Sequence, residues 1–168
     1  ADLHIMGSNG GVATAAMIKA DIGMECLQLD LQGWDHHSSM GPFSGDLATR
    51  LEGLSLGLGA FYADMGQALD GVTVVVMSEF GRRVAGNGSQ GTDHGHGGVM
   101  FVLGGHVNGG QVFAQWPGLD SASLGNGDLV ITTDYRDVLA EIVQLRLGNS
   151  SLGDIFPQHT PQFPGIVT

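Results

Sequence analysis

One stripe of large apolar side chains limits what this chain can fold into. Leu47, Leu51, Leu54, Leu58, Phe61, Met65 and Leu69 recur at spacings of three or four residues, the repeat of an α-helix that buries one face. Ser44 is placed to cap that helix, with Asp46 in its first turn near the positive end of the dipole. Asp70-Gly71 ends the stripe, and Val72–Met77 follows at once as an apolar, β-branched run without polar alternation. Such a run predicts a central strand of a parallel sheet, buried on both faces. The expected neighbour on one side is the segment Met24–Leu31, which is itself apolar enough for a mostly buried strand.

The remaining segments fit the same scheme. Val12–Ala20 reads as a short helix, Val99–Leu103 as a strand and Gln111–Phe113 as a short edge strand. Thr133 is positioned to cap a last helix, with Asp134 and Asp137 in its first turn and Gly148 just past its end. The tail from Phe156 carries Pro157, Pro161 and Pro164, so residues 157–168 are expected to be extended on the surface. Strands alternating with helices define an α/β class, one domain over residues 1–168, with helices on both faces of the sheet. Ligands in such sheets bind at the C-terminal ends of the strands.

Composition removes several function classes. The net charge of -11 repels phosphate backbones, which argues against nucleic acid as a partner. An anionic small substrate would then need a local positive element, and a bound cation supplies one. The single cysteine, Cys26, allows no disulfide within the chain and is expected to be a buried thiol. No apolar run is long enough to span a membrane. The chain opens on Ala1 without the basic and apolar regions of a signal peptide, and an upstream segment is expected.

Three polar clusters follow or adjoin predicted strands: Gly33-Trp34-Asp35-His36-His37, Ser78-Glu79-Phe80-Gly81-Arg82, and Gly91-Thr92-Asp93-His94-Gly95-His96. Imidazole and carboxylate are the usual ligands of borderline-to-hard divalent ions. The flanking glycines let the backbone turn tightly enough to bring several such groups to one point. The carboxylates and imidazoles of these clusters, Asp35, His37, Glu79, Asp93 and His94 among them, therefore make a metal site a candidate. An Asp-His pair in a loop is also a common surface hydrogen bond. His36 is expected to be exposed.

The ordered motifs G-W-D-x-H, S-E-F-G-R and G-T-D-H-G resemble the family called domain of unknown function 1501. Trp116-Pro117-Gly118-Leu119, Thr132–Arg136 and Phe156-Pro157 extend the likeness from about Ala15 onward. That family is similar to the alkaline-phosphatase and sulfatase superfamily. The resemblance implies a partial alkaline-phosphatase-like layered sheet holding one or two divalent ions (Zn, Mn or Ca). It matches Asp35 and His37 to a first ligand pair, Glu79 to a strand-end Asp, and His94 to a final His. Phe80 stands where the superfamily has a strand-end His. Arg82 either clamps an anionic oxygen or pairs with a carboxylate, and His96 lines the pocket or supports a ligand.

The resemblance further implies a hydrolase of phosphate or sulfate esters, periplasmic or secreted, acting on an anionic small molecule or glycan ester. It also implies that the nucleophile lies upstream, because only Ser8-Asn9-Gly10-Gly11 offers even a weak loop here. This chain would then be the C-terminal part of a larger domain, partnered by the missing N-terminal half or by a second copy. The alternative is a secreted binding or scaffold protein that keeps the fold without catalysis.

Overall fold

A computed structural model describes residues 3–6 and 10–168. Helices and small sheets are mixed, as the α/β reading requires. The elements in chain order are β1 (Leu3–Met6), α1 (Gly10–Lys19), β2 (Leu27–Asp30), α2 (Asp46–Met65), a 3-10 turn (Gly66–Gly71), β3 (Thr73–Val76), β4 (Gly81–Arg82), β5 (His94–Gly95), β6 (Phe101–Gly104), α3 (Tyr135–Arg146) and α4 (Leu152–Ile155). The chain divides into two compact units. One comprises Ala1–Leu69 with Gly86–Asp93, the other Asp70–Ala85 with His94–Thr168.

In the first unit β1 and β2 pair in parallel, Leu3 opposite Leu27 and Met6 opposite Asp30. Helix α1 packs on α2, fastened by an ion pair from Lys19 Nζ to Asp64 Oδ1 at 2.6 Å. The apolar stripe is only partly covered: Met65 and Leu69 are buried, whereas Leu51 is exposed. Length accounts for this, since ten residues of α1 run roughly 15 Å beside the roughly 30 Å of α2.

The N-terminus of α2 departs from expectation. The capping position is Gly45, not Ser44, and no side chain caps it. Backbone carbonyls of the preceding loop accept the early amides instead: Leu47 N–H donates to Met40 O and Ala48 N–H to Gly41 O. Once those donors are satisfied a hydroxyl has nothing to add.

In the second unit β3 pairs with β6, Thr73 opposite Gly104 and Val76 opposite Phe101. The pairing is antiparallel, which corrects the parallel sheet expected around Val72–Met77. Parallel neighbours need a crossover connection, usually a helix, and the chain between β3 and β6 holds only the short β4–β5 hairpin. Every β3 residue is half-buried rather than fully buried, and the hydrogen-bonded partner of the Met24–Leu31 segment is β1. Gln111–Phe113 is irregular, with Val112 89% exposed, so the expected edge strand is not formed.

The core of this unit is Val138 and Ile142 of α3 with Ile166 and Val167, flanked by Val75, Met100, Val102 and Val107. The end of the tail is thus core, not surface. Val167 pairs with Val107 in an antiparallel bridge, and Asn108 N–H donates to Ile166 O at 2.8 Å. Glu141, 1% exposed, holds it there: Gly165 N–H donates to Oε2 at 2.8 Å and Val167 N–H to Oε1 at 2.9 Å. A buried carboxylate is tolerated because both oxygens are answered. Arg146 at the other end of α3 donates to Thr73 Oγ1 and Asp70 O, tying the helix to the start of β3.

Helix α3 is capped by Asp134, not Thr133: its carboxylate accepts from Arg136 N–H at 2.9 Å and from the Arg136 guanidinium at 2.9 and 2.6 Å. A carboxylate meets both the amide and the guanidinium, which a threonine hydroxyl cannot. Cys26 is exposed, not buried.

Two measurements follow. Glu141→Ala leaves two buried amides without acceptors and should cost about 2–4 kcal/mol in urea unfolding, with faster exchange at the Gly165 and Val167 amides. Glu141→Gln keeps one acceptor oxygen and should cost less. The Asp134 carboxyl is held down to about 2, from 3.8, chiefly by the Arg136 guanidinium. A depressed folded value gives stability that is complete above the unfolded value and lost as pH falls through the folded one. Asp134→Asn should therefore flatten the acid limb of the urea midpoint between about pH 4 and pH 2 while retaining the helix.

Candidate metal centre

The first unit brings two loops together, one before α2 and one spanning Gly86–Asp93. Main-chain bonds lace them: Ser39 N–H donates to Ser89 O, Met40 N–H to Gln90 O and Thr92 N–H to His36 O. Gly91 is required at the crossing, because a Cβ there would collide with the His37 carbonyl. Thr92 is buried beside it.

The lacing sets His37 between two carboxylates. Its Nε2 lies 3.1 Å from Asp35 Oδ1 and its Nδ1 lies 3.3 Å from Asp93 Oδ1. A neutral imidazole carries one proton. Carboxylates thus face both ring nitrogens of His37. Two ligand atoms bound to one ion by bonds of about 2.0–2.2 Å sit roughly 3 Å apart, so the Asp35–His37 spacing suits a shared divalent ion.

His36, expected to be exposed, is 7% exposed. Its ring bridges Trp34 O at 3.0 Å and Asp46 Oδ2 at 2.7 Å. Hydrogen bonds from Arg50 and then His36 hold the Asp46 carboxyl below its ordinary range. Arg50 also donates to Gln32 O. His36 therefore anchors the loop to the start of α2 and leaves its neighbour, His37, to face outward.

In the second unit the β4–β5 pair sets Arg82 opposite His94. The Phe80 and His94 rings stack with centroids 3.7 Å apart and planes 21° apart, and Arg82 Cζ lies 5.1 Å from the Phe80 centroid. This hairpin too needs a glycine, since a Cβ on Gly81 would strike the Gly97 carbonyl. Ser78 Oγ donates to Phe80 O at 3.0 Å. Glu79 and His96 are exposed, and Asp35, His37 and His94 are exposed as well. The chain passes from the first unit to the second between Asp93 and His94. Of the sequence-predicted residues, the structure gathers Asp35, His37 and Asp93 in one unit, and Arg82 and His94 in the other.

Sequence reasoning missed Asn87. Its Nδ2 donates to His37 O at 2.9 Å and to Asp93 Oδ1 at 3.0 Å, and its Oδ1 accepts from Ser89 N–H and Gly91 N–H, both at 3.0 Å. The only signal was an Asn-Gly-Ser stretch that reads as an ordinary turn. Ser8 and Asn9, of the weak candidate nucleophile loop, lie outside the described residues.

An α/β chain with an exposed His-carboxylate centre on laced loops is the class that fold and site define. The profile of the family described as Protein of unknown function (DUF1501) matches residues 8–146, and the chain belongs to that family. No curated protein and no solved structure matches the chain. Among the described residues no helix is long and apolar enough to cross a membrane.

The lacing is directly testable. Gly91→Ala should cost about 1–3 kcal/mol of stability by overpacking, whereas Gly88→Ala, with nothing within 4 Å, should be close to neutral. Thermal unfolding of the two variants checks the contrast.

Proposed function

We propose that this chain carries the ligand side of a divalent-metal site of the alkaline-phosphatase and sulfatase kind, and that the complete domain cleaves phosphate or sulfate esters. The observation that carries the reading is His37 between two carboxylates, with Asp35 Oδ1 3.1 Å from Nε2. Asp35 and His37 offer a carboxylate and an imidazole within the first unit, and the family resemblance would add His94 as a second imidazole and Glu79 as a further oxygen donor. Mixed nitrogen and oxygen donors favour Zn or Mn over Ca, which prefers oxygen alone. Asp93 Oδ1 faces His37 Nδ1 at 3.3 Å, in the manner of carboxylates that orient a ligating imidazole. Of the two roles open to it, orienting suits this geometry better than ligation.

When bound, the ion would polarise the ester oxygen and acidify the attacking group. Arg82 presents a guanidinium whose fork matches the anionic oxygens of phosphate or sulfate, and His96 lines the same hairpin. The substrate would thus be an anionic small molecule or glycan ester, and the family resemblance supports a periplasmic or secreted location as part of the same proposal.

A second reading, a binding or scaffold protein without catalysis, is favoured by Phe80. An aromatic ring stacked on His94 occupies the strand-end position that the superfamily gives to a ligand.

Titration with Zn²⁺ and Mn²⁺ tests the centre. Asp35→Ala, His37→Ala and His94→Ala should each weaken binding at least about tenfold, since each removes a ligand. Affinity unchanged in all three would remove the metal reading. The chain by itself should turn over aryl phosphates and sulfates negligibly with Zn²⁺, Mn²⁺ or Ca²⁺. The Ser78 hydroxyl is engaged within its own loop and Thr92 is buried, so neither is placed as a nucleophile. Turnover abolished by Ser78→Ala or Thr92→Val would show the opposite.

A further inference from the structure

We propose that Asn87 is the positioning residue of the centre, fixing the direction in which His37 presents its ligating nitrogen. The inference rests on the metal reading and goes beyond it by assigning the part that orders the ligands before any ion arrives.

A side-chain amide has two N–H donors and one oxygen with two lone pairs. At Asn87 all four positions are used. Oδ1 accepts the Ser89 and Gly91 amides, which shapes the loop that carries Asp93. Nδ2 donates to His37 O, which holds the opposite loop, and to Asp93 Oδ1. The backbone adds a fifth bond, from Asn87 N–H to Gly91 O at 2.8 Å. Asp93 Oδ1 receives the Asn87 amide and faces His37 Nδ1 at 3.3 Å, so the amide aims the carboxylate at that nitrogen. A proton held on Nδ1 leaves the Nε2 lone pair turned to the side of Asp35, where a metal ligand is needed.

No other residue type supplies this set. Aspartate has the acceptor without the donor, glutamine is one methylene longer, and serine has a single hydroxyl. The relay from Asn87 through Asp93 to His37 lies wholly within the first unit.

Asn87→Asp isolates the donor. It keeps the oxygen that accepts from Ser89 and Gly91 while setting a second carboxylate against Asp93. Asn87→Ala removes both functions. Zn²⁺ affinity, measured by competition with a chromophoric chelator, should fall about 10–100-fold in each variant. Weakening in Asn87→Asp alone would trace to the added charge and overturn the proposal, as would wild-type affinity in both.

A second readout needs no metal. In the metal-free protein, ¹⁵N spectra of the neutral His37 ring should show the Nδ1–H tautomer in wild type and a tautomer mixture in both variants. The same tautomer in all three would overturn the assignment of Asn87. Failure of the wild-type chain to bind Zn²⁺ or Mn²⁺, with the tautomer shift still present, would sink the metal reading and leave the positioning role standing.

Discussion

Everything the candidate centre does depends on the lacing of two loops by main-chain hydrogen bonds. Three such bonds join residues 36–40 to residues 89–92, and they put Asp35, His37 and Asp93 within reach of one another. Charge alone would not. The three side chains are about half exposed, and exposed ion pairs contribute little after screening and side-chain entropy. The order runs from backbone to side chain: Gly91 permits the approach, the amides fix the register, Asn87 spans the gap, and His37 takes the position left to it.

The same arrangement explains two adjacent histidines with opposite fates. His36 and His37 are neighbours in sequence, and a reading by residue type cannot separate them. The lacing turns one inward, onto Trp34 O and Asp46, and the other outward. Because Asp46 also accepts from Arg50, the inward ring couples the loop to the first turn of α2. The long helix thus serves the site as an anchor rather than as a source of ligands.

What was legible in the sequence was whatever repeats or is bounded by a strong local signal. The stripe from Leu47 gave α2, the β-branched run gave β3, and the Asp-rich start with Gly148 beyond gave α3. The misses share a cause. The antiparallel β3–β6 pairing and the docking of Ile166 and Val167 depend on partners distant in sequence, and the Gly45 cap and the burial of His36 on irregular loop contacts close by, none of which periodicity encodes. Candidate ligands were legible because Asp and His are chemically conspicuous. Asn87 was not, because an Asn before Gly has an ordinary local use and its role appears only once His37 and Asp93 stand on either side of it.

The Phe80–His94 stack orders a candidate ligand by packing. Stacked at 3.7 Å, the Phe80 ring restricts rotation of the neighbouring imidazole. His94 can therefore be held by packing while His37 is held by hydrogen bonds. An imidazole restrained in advance, by either means, loses less conformational entropy when it takes up a ligand.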